Sequence, residues 1–161
     1  MLSFDRRSVL ILPAILAACG FTPVYAPNQS GTKLQSKVLV AELEGLEGYL
    51  LVRDLERQLG RADVPDYALD LTLRTAVEGL GVTPTGNITR YSVLGSVDYR
   101  LRPIGSETPI ASGQVNNFTG YSATGTTVET LAAERDARAR LMAILANQIT
   151  TELYSTVDLP E

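Results

Sequence analysis

Apolar and polar positions alternate from Lys37 to Leu43, with Val38 and Val40 on one side and Leu39, Ala41 and Leu43 on the other, which predicts a strand. Gly45 and Gly48 end it. From Tyr49 to Leu59 the spacing changes: Leu51, Val52, Leu55 and Leu59 recur at helical intervals while Arg53, Asp54, Glu56, Arg57 and Gln58 fill the remaining faces. Gly60 stands where a left-handed C-terminal cap is wanted. Tyr67 to Arg74 alternates again, Leu69, Leu71 and Leu73 against Asp70, Thr72 and Arg74, with a continuation toward Thr83 loosened by Gly79 and Gly81. Pro84-Thr85-Gly86-Asn87 reads as a turn.

The longest alternating run follows, from Ile88 to Leu101. Tyr91, Val93, Val97, Tyr99 and Leu101 share one face, and Arg90, Ser92, Leu94, Ser96, Asp98, Arg100 and Arg102 the other. Pro103 to Pro109 is a second turn, and Ile110 to Tyr121 a weaker strand interrupted by Gly113 and Gly120. Thr126 followed by Glu129 forms a capping box, in which each side chain satisfies an orphaned backbone N–H at a helix start. The helix runs from Val128 to Tyr154 with no Gly or Pro, its stripe drawn through Leu131, Ala132, Arg135, Ala139, Met142, Ala146, Ile149 and Leu153 and widened by Leu141 and Leu145.

The order is thus β-α-β-β-β-α. Because each strand has one apolar face and each helix one apolar stripe, the economical packing is an α+β two-layer sandwich. A four-stranded sheet carries both helices on one face, and its other face is partly polar and outward.

Composition removes most catalytic chemistry. Histidine is absent from the 161 residues and Cys19 is the one cysteine, so Ser-His-Asp and Cys-His pairs, internal disulfides and the usual zinc sites are excluded. A formal net charge of −4 argues against a nucleic-acid partner. Scattered carboxylates such as Glu42 and Glu44, or Asp63 and Asp66, read as solvated charge, and Gly79-Leu80-Gly81 lacks the lysine of a phosphate loop. No enzyme, metal site or bound cofactor is expected.

The first residues read as an address. Arg6 and Arg7 precede the apolar run Val9 to Leu16, too short at 1.5 Å per residue to cross a roughly 30 Å hydrocarbon core. Leu16-Ala17-Ala18-Cys19 matches a bacterial lipobox, in which the cysteine thiol is acylated and becomes the new N-terminus. The competing reading is an ordinary signal peptide with a chance cysteine. The arginine pair leaves a twin-arginine route open beside the general secretory one. Gly20, in place of an aspartate, favours the outer membrane. Residues 1–18 are therefore expected to be a signal peptide, 19–36 a lipidated tether rich in Pro, Gly, Ser and Asn, and 37–161 a single domain.

Arginine outnumbers lysine twelve to two. The planar guanidinium fork pairs with phosphate or carboxylate, and Arg74, Arg90, Arg100 and Arg102 all fall on the polar side of the predicted meander. They are candidates for gripping the phosphates of a glycolipid, with Leu94 near its acyl end. The other reading is a solvated sheet face in which a compositional bias favours arginine, as it does at Arg135, Arg138 and Arg140.

The segment Leu16-Ala17-Ala18-Cys19-Gly20-Phe21-Thr22-Pro23-Val24-Tyr25, and Ala133 to Arg138 leading into Leu141, Leu145, Ile149 and Leu153, resemble the lipopolysaccharide-assembly lipoproteins (LptE) of alphaproteobacterial type. The resemblance implies a non-enzymatic lipoprotein of the outer membrane, lipid-anchored on its periplasmic side. It implies a large β-barrel partner (LptD-like), whose lumen the protein plugs and whose assembly it assists, and a part in lipopolysaccharide delivery to the outer leaflet. An alternative of another class is an accessory periplasmic lipoprotein of a lipid transporter, working without a barrel.

Overall fold

The computed structural model describes residues 30–82, 86 and 88–157. The signal peptide, Cys19 and most of the tether lie outside the described residues, as do positions 83–85 and 87 of the first turn. A short helix α1 (Ser30–Leu34) leads into β1 (Val38–Val40), α2 (Gly45–Leu59), β2 (Tyr67–Val82), β3 (Ile88–Pro103), β4 (Ala111–Ser122) and α3 (Thr127–Thr156). The sheet order is β1-β2-β3-β4, with β1 parallel to β2 and the other neighbours antiparallel. It is the expected two-layer α+β sandwich, with α2 and α3 covering one face of a mixed sheet.

Parity along the strands decides what is inside. Leu69, Val93, Val97, Tyr99, Leu101 and Val115 point to the helices and are buried, with Leu71 and Leu73 packed at their margin. Facing them are Leu51, Leu55 and Leu59 of α2, and Leu141, Met142, Leu145, Ala146, Ile149 and Leu153 of α3. Gly95 belongs to the same inward row. A Cβ there would lie 2.9 Å from Leu145 Cδ1 and 3.1 Å from Leu141 Cδ2, so α3 rests almost directly on the β3 backbone. Elsewhere helix and sheet meet through interdigitating side chains.

Several boundaries differ from the sequence reading, for physical reasons. The stretch read as tether contributes α1, which seats Leu34 in the core at no exposure. The first strand is only three residues long; after Ala41 N–H donates to Leu69 O the chain leaves the sheet. Helix α2 begins at Gly45, not Tyr49, because its first turn is held by tertiary bonds: Glu47 accepts from Thr75 Oγ1 on β2 (2.7 Å) and pairs with Arg138 on α3. Such contacts override the weak helix propensity of Gly45 and Gly48. Gly60 does take a positive φ, 78°, but with ψ 139°, so it is an extended corner rather than a left-handed cap. That corner lets Ser36 N–H donate to Leu59 O at 2.7 Å, and a Cβ on Gly60 would strike Ser36 Oγ.

On α3 the capping box is present: Glu129 N–H donates to Thr126 Oγ1 and Thr126 N–H to Glu129 Oε2. The buried stripe starts later than expected, at Ala137. Leu131, Ala132 and Arg135 are exposed, because the first turns of α3 project past the packed part of the sheet. The β2–β3 hairpin turns at this same end, where Ala123 N–H extends the β3–β4 ladder by donating to Thr89 O. Helix α1 and the starts of β1 and β2 lie at the opposite end, where Asp66 N–H donates to Lys37 O and Ile104 N–H to Asp66 O.

Two stability measurements test this packing. Gly95→Val should lower unfolding free energy by about 1–3 kcal/mol through overpacking against Leu141 and Leu145, read from urea denaturation. Thr126→Ala should cost about 1 kcal/mol through loss of the cap, measured the same way.

Candidate functional site

The outward sheet face carries the even-numbered residues of β2, β3 and β4. Its rows are set by register: Asp70, Arg100 and Ser112; then Thr72, Asp98 and Gln114; then Arg74, Ser96 and Asn116; then Ala76, Leu94 and Phe118. All four candidate arginines reach this face or its end, so no bulge reverses the strands before Gly79.

They do not converge. Arg74 donates to Asp98 Oδ2 at 2.6 Å, and Arg102 Nε to Asp70 Oδ2 at 2.8 Å. Gln114 donates to the other Asp98 oxygen at 2.7 Å. Arg100 lies between these two pairs and makes no ion pair among the described residues. Arg90 sits alone near the hairpin, twelve positions from Arg102 along β3, or about 40 Å at strand rise. Arg74, Arg100 and Arg102 thus form one charge-laced patch with Asp70 and Asp98, and Arg90 is separate from it.

The Arg74 and Gln114 hydrogen bonds hold the Asp98 carboxyl below its usual range, with the Arg74 and Arg100 charges acting in the same direction. The Asp70 hydrogen bond and charge raise Arg102 further above its already high value. Arg100 is thus the guanidinium of this patch left unengaged by a carboxylate, since its neighbours are paired. Beside the patch, Ala76, Leu94 and Phe118 form an apolar stretch, with Phe118 65% exposed.

Two polar ties were not legible in the sequence. Helical spacing puts Asp54 on an outer face, yet it is 1% exposed, and the guanidinium groups of Arg53 (2.8 Å) and Arg57 (3.1 Å) both meet its Oδ1. Tyr99 donates to Glu152 Oε2 at 2.7 Å on the inner face, and burial, with this bond next, pushes its phenol well above the usual range. Gly113, opposite Tyr99, leaves room for the ring: a Cβ there would lie 2.6 Å from the Tyr99 hydroxyl. Among the described residues no cluster of acidic or sulfur side chains could hold a metal ion, and no helix is long and apolar enough to cross a membrane.

The Asp98 interaction has a definite pH sign. Because its folded pKa is depressed, its stabilising contribution is present above the ordinary aspartate range and is lost as pH falls through the folded value. Arg74→Ala should move the Asp98 carboxyl titration upward, read by carboxyl NMR, and should flatten acid destabilisation below about pH 4.

Known proteins share this architecture. The fold is similar to that of a putative lipoprotein from Caulobacter crescentus, with TM-score 0.65 and 22% identity over 78% of this chain and 93% of that one. It also resembles rare lipoprotein B from Shewanella oneidensis (TM-score 0.57, 16% identity, 74% and 93% covered). A minor lipoprotein from Acinetobacter baumannii gives TM-score 0.55 at 14% identity, with 77% and 95% covered. No curated protein matches the sequence. The lipopolysaccharide-assembly (LptE) family model matches residues 36–153, from the turn before β1 to nearly the end of α3. The chain therefore belongs to the lipopolysaccharide-assembly family, and is a non-enzymatic, lipid-anchored lipoprotein of the outer membrane facing the periplasm.

Proposed function

We propose that this protein occupies the lumen of a large LptD-type outer-membrane β-barrel, assists its assembly, and helps deliver lipopolysaccharide to the outer leaflet. The family match over residues 36–153 carries this reading. A signal peptide (1–18) is removed, Cys19 bears the acyl chains (palmitate among them), and a tether from Cys19 to the start of α1 joins them to the domain. Each buried CH₂ contributes about 0.8 kcal/mol, so two or three chains hold firmly where one exchanges.

The physical support is the outward sheet face. A barrel wide enough to pass a multi-acyl glycolipid needs its lumen filled, and lumen walls are polar. The rows of Asp70, Thr72, Arg74, Asp98, Arg100, Ser112 and Gln114 make a wettable surface of paired charge and neutral hydrogen-bonding groups. Lipopolysaccharide phosphate is met there by Arg100, supported by Arg74 and Arg102, with Arg90 a second contact nearer the hairpin. The Leu94–Phe118 stretch lies beside this patch for the acyl portion.

The test is gentle detergent extraction of the tagged lipoprotein from its native membrane. Recovery of a barrel of several hundred residues is the expected result. Recovery of transporter subunits alone would replace this reading with that of an accessory transport lipoprotein. For the phosphate contact, Arg100→Ala should weaken lipopolysaccharide binding about tenfold, the worth of a charge-assisted hydrogen bond. Adding Arg90→Ala should weaken it further. Unchanged binding in the folded double variant removes the arginines from the site.

A further inference from the structure

The sheet has two edges, and they are not equally protected. On β4, Arg140 reaches over to donate to Gly120 O and Thr119 Oγ1 donates to Ala137 O, so α3 overlies that strand. On the other side β1 covers only Tyr67 to Leu69 of β2. Beyond Leu69 no strand pairs with the outer edge of β2 among the described residues.

The hydrogen bonds at the covered end show which main-chain groups face outward. Tyr67 N–H donates to Lys37 O and Leu69 O accepts from Ala41 N–H. Odd-numbered residues of β2 therefore aim N–H and C=O at the edge, and alternation extends this to Leu73, Thr75 and Val77. Natural edge strands are usually blunted with lysine, proline or an inward charge. Strand β2 contains neither lysine nor proline, and its two register shifts, between Gly79 and Gly81 and between Gly81 and Val82, lie at the far end. This is a template for one more strand.

We infer that the edge of β2 pairs with the same edge of a second copy of this chain, antiparallel, about a two-fold axis through Ala76. The charges select this occupant and this register, Arg74 bonding Asp98 of its own chain through Nη1 and keeping its other guanidinium nitrogens for a group across the seam. The solvent face of β2 carries Arg74 and Glu78, two residues to either side of Ala76. Antiparallel pairing about Ala76 sets Arg74 of each copy opposite Glu78 of the other, twice per dimer, where cross-strand opposite charges stabilise and like charges oppose. In the same register Thr75 faces Val77 of the second copy and Leu73 faces Gly79 of the second copy, all with main chain directed at the seam. The exposed Val77 side chain, on the helix side of the sheet, is covered by the added strand. The pairing does not depend on the barrel reading; it describes the lipoprotein before another partner takes the edge.

The axis supplies the experiment. In the full lipoprotein purified in detergent, Ala76→Cys should form a disulfide with its own counterpart under mild oxidation, because the two positions meet in a non-hydrogen-bonded pair. The parent chain, carrying Cys19, sets the background, and Ser112→Cys on the opposite edge is the collision control. Arg74→Glu should reduce cross-linking of the Ala76→Cys chain about tenfold, Glu78→Arg should do the same, and the two together should restore it. A merely structural role for either charge would not give that rescue. The proposal is overturned by a monomer with no cross-link above background, by equal cross-linking through Ser112→Cys, by an unrescued double variant, or by capture of a different envelope protein instead of a second copy.

Discussion

Leu141 and Leu145 of α3 rest on the backbone of Gly95, and the two-layer arrangement depends on that contact. Where most sheet positions present a side chain to the helix, this one presents none. The helix sinks toward β3 and closes over Val93 and Val97 on either side. The hydrophobic effect requires only that apolar area leave water; the missing side chain fixes where along the sheet the helix axis crosses. Once α3 is placed, α2 has one remaining site, beside it and over the parallel pair β1–β2.

A second constraint ties the layers laterally. Glu47, in the opening turn of α2, meets Arg138 from α3 and accepts from Thr75 on β2, while Arg138 also bonds Glu134 at 2.7 Å. One carboxylate thus joins three elements distant in sequence, where the apolar core alone would let the short helix slide. Both Glu47 and Arg138 are partly shielded from solvent, which makes such a pair more directional than a fully exposed one.

Much of this was written in local patterns. Alternation in β2 and β3 gave the inward faces correctly, since one buried face enforces register, and Thr126 with Glu129 marked the start of α3 because a cap is a four-residue code. Most of the failures share a cause, a partner distant in sequence, while at Asp54 the partners are one and three positions away on the same helix and only the fold shows that they close over it. Leu34 is followed by nothing periodic, and its burial depends on a pocket made by later elements. Asp54 looks like any surface acid until Arg53 and Arg57 fold over it. Gly95 and Gly113 read as gaps in a pattern, although Leu145 and Tyr99 fill them. The arginines were placed on the right face, but carboxylate partners on neighbouring strands, invisible to spacing within one strand, hold Arg74 and Arg102.

The two ends of the sandwich are built differently. Helix α1, Leu34 and the corner at Gly60 knit the end where the chain enters, whereas at the opposite end Val77 of β2 and Val128 and Leu131 of α3 are uncovered. A sixteen-residue strand separates these poles by about 50 Å. An anchor pulling on the entering chain therefore loads the end that α1 and the Gly60 corner bind together, and leaves the apolar side chains at the opposite end free to meet a partner.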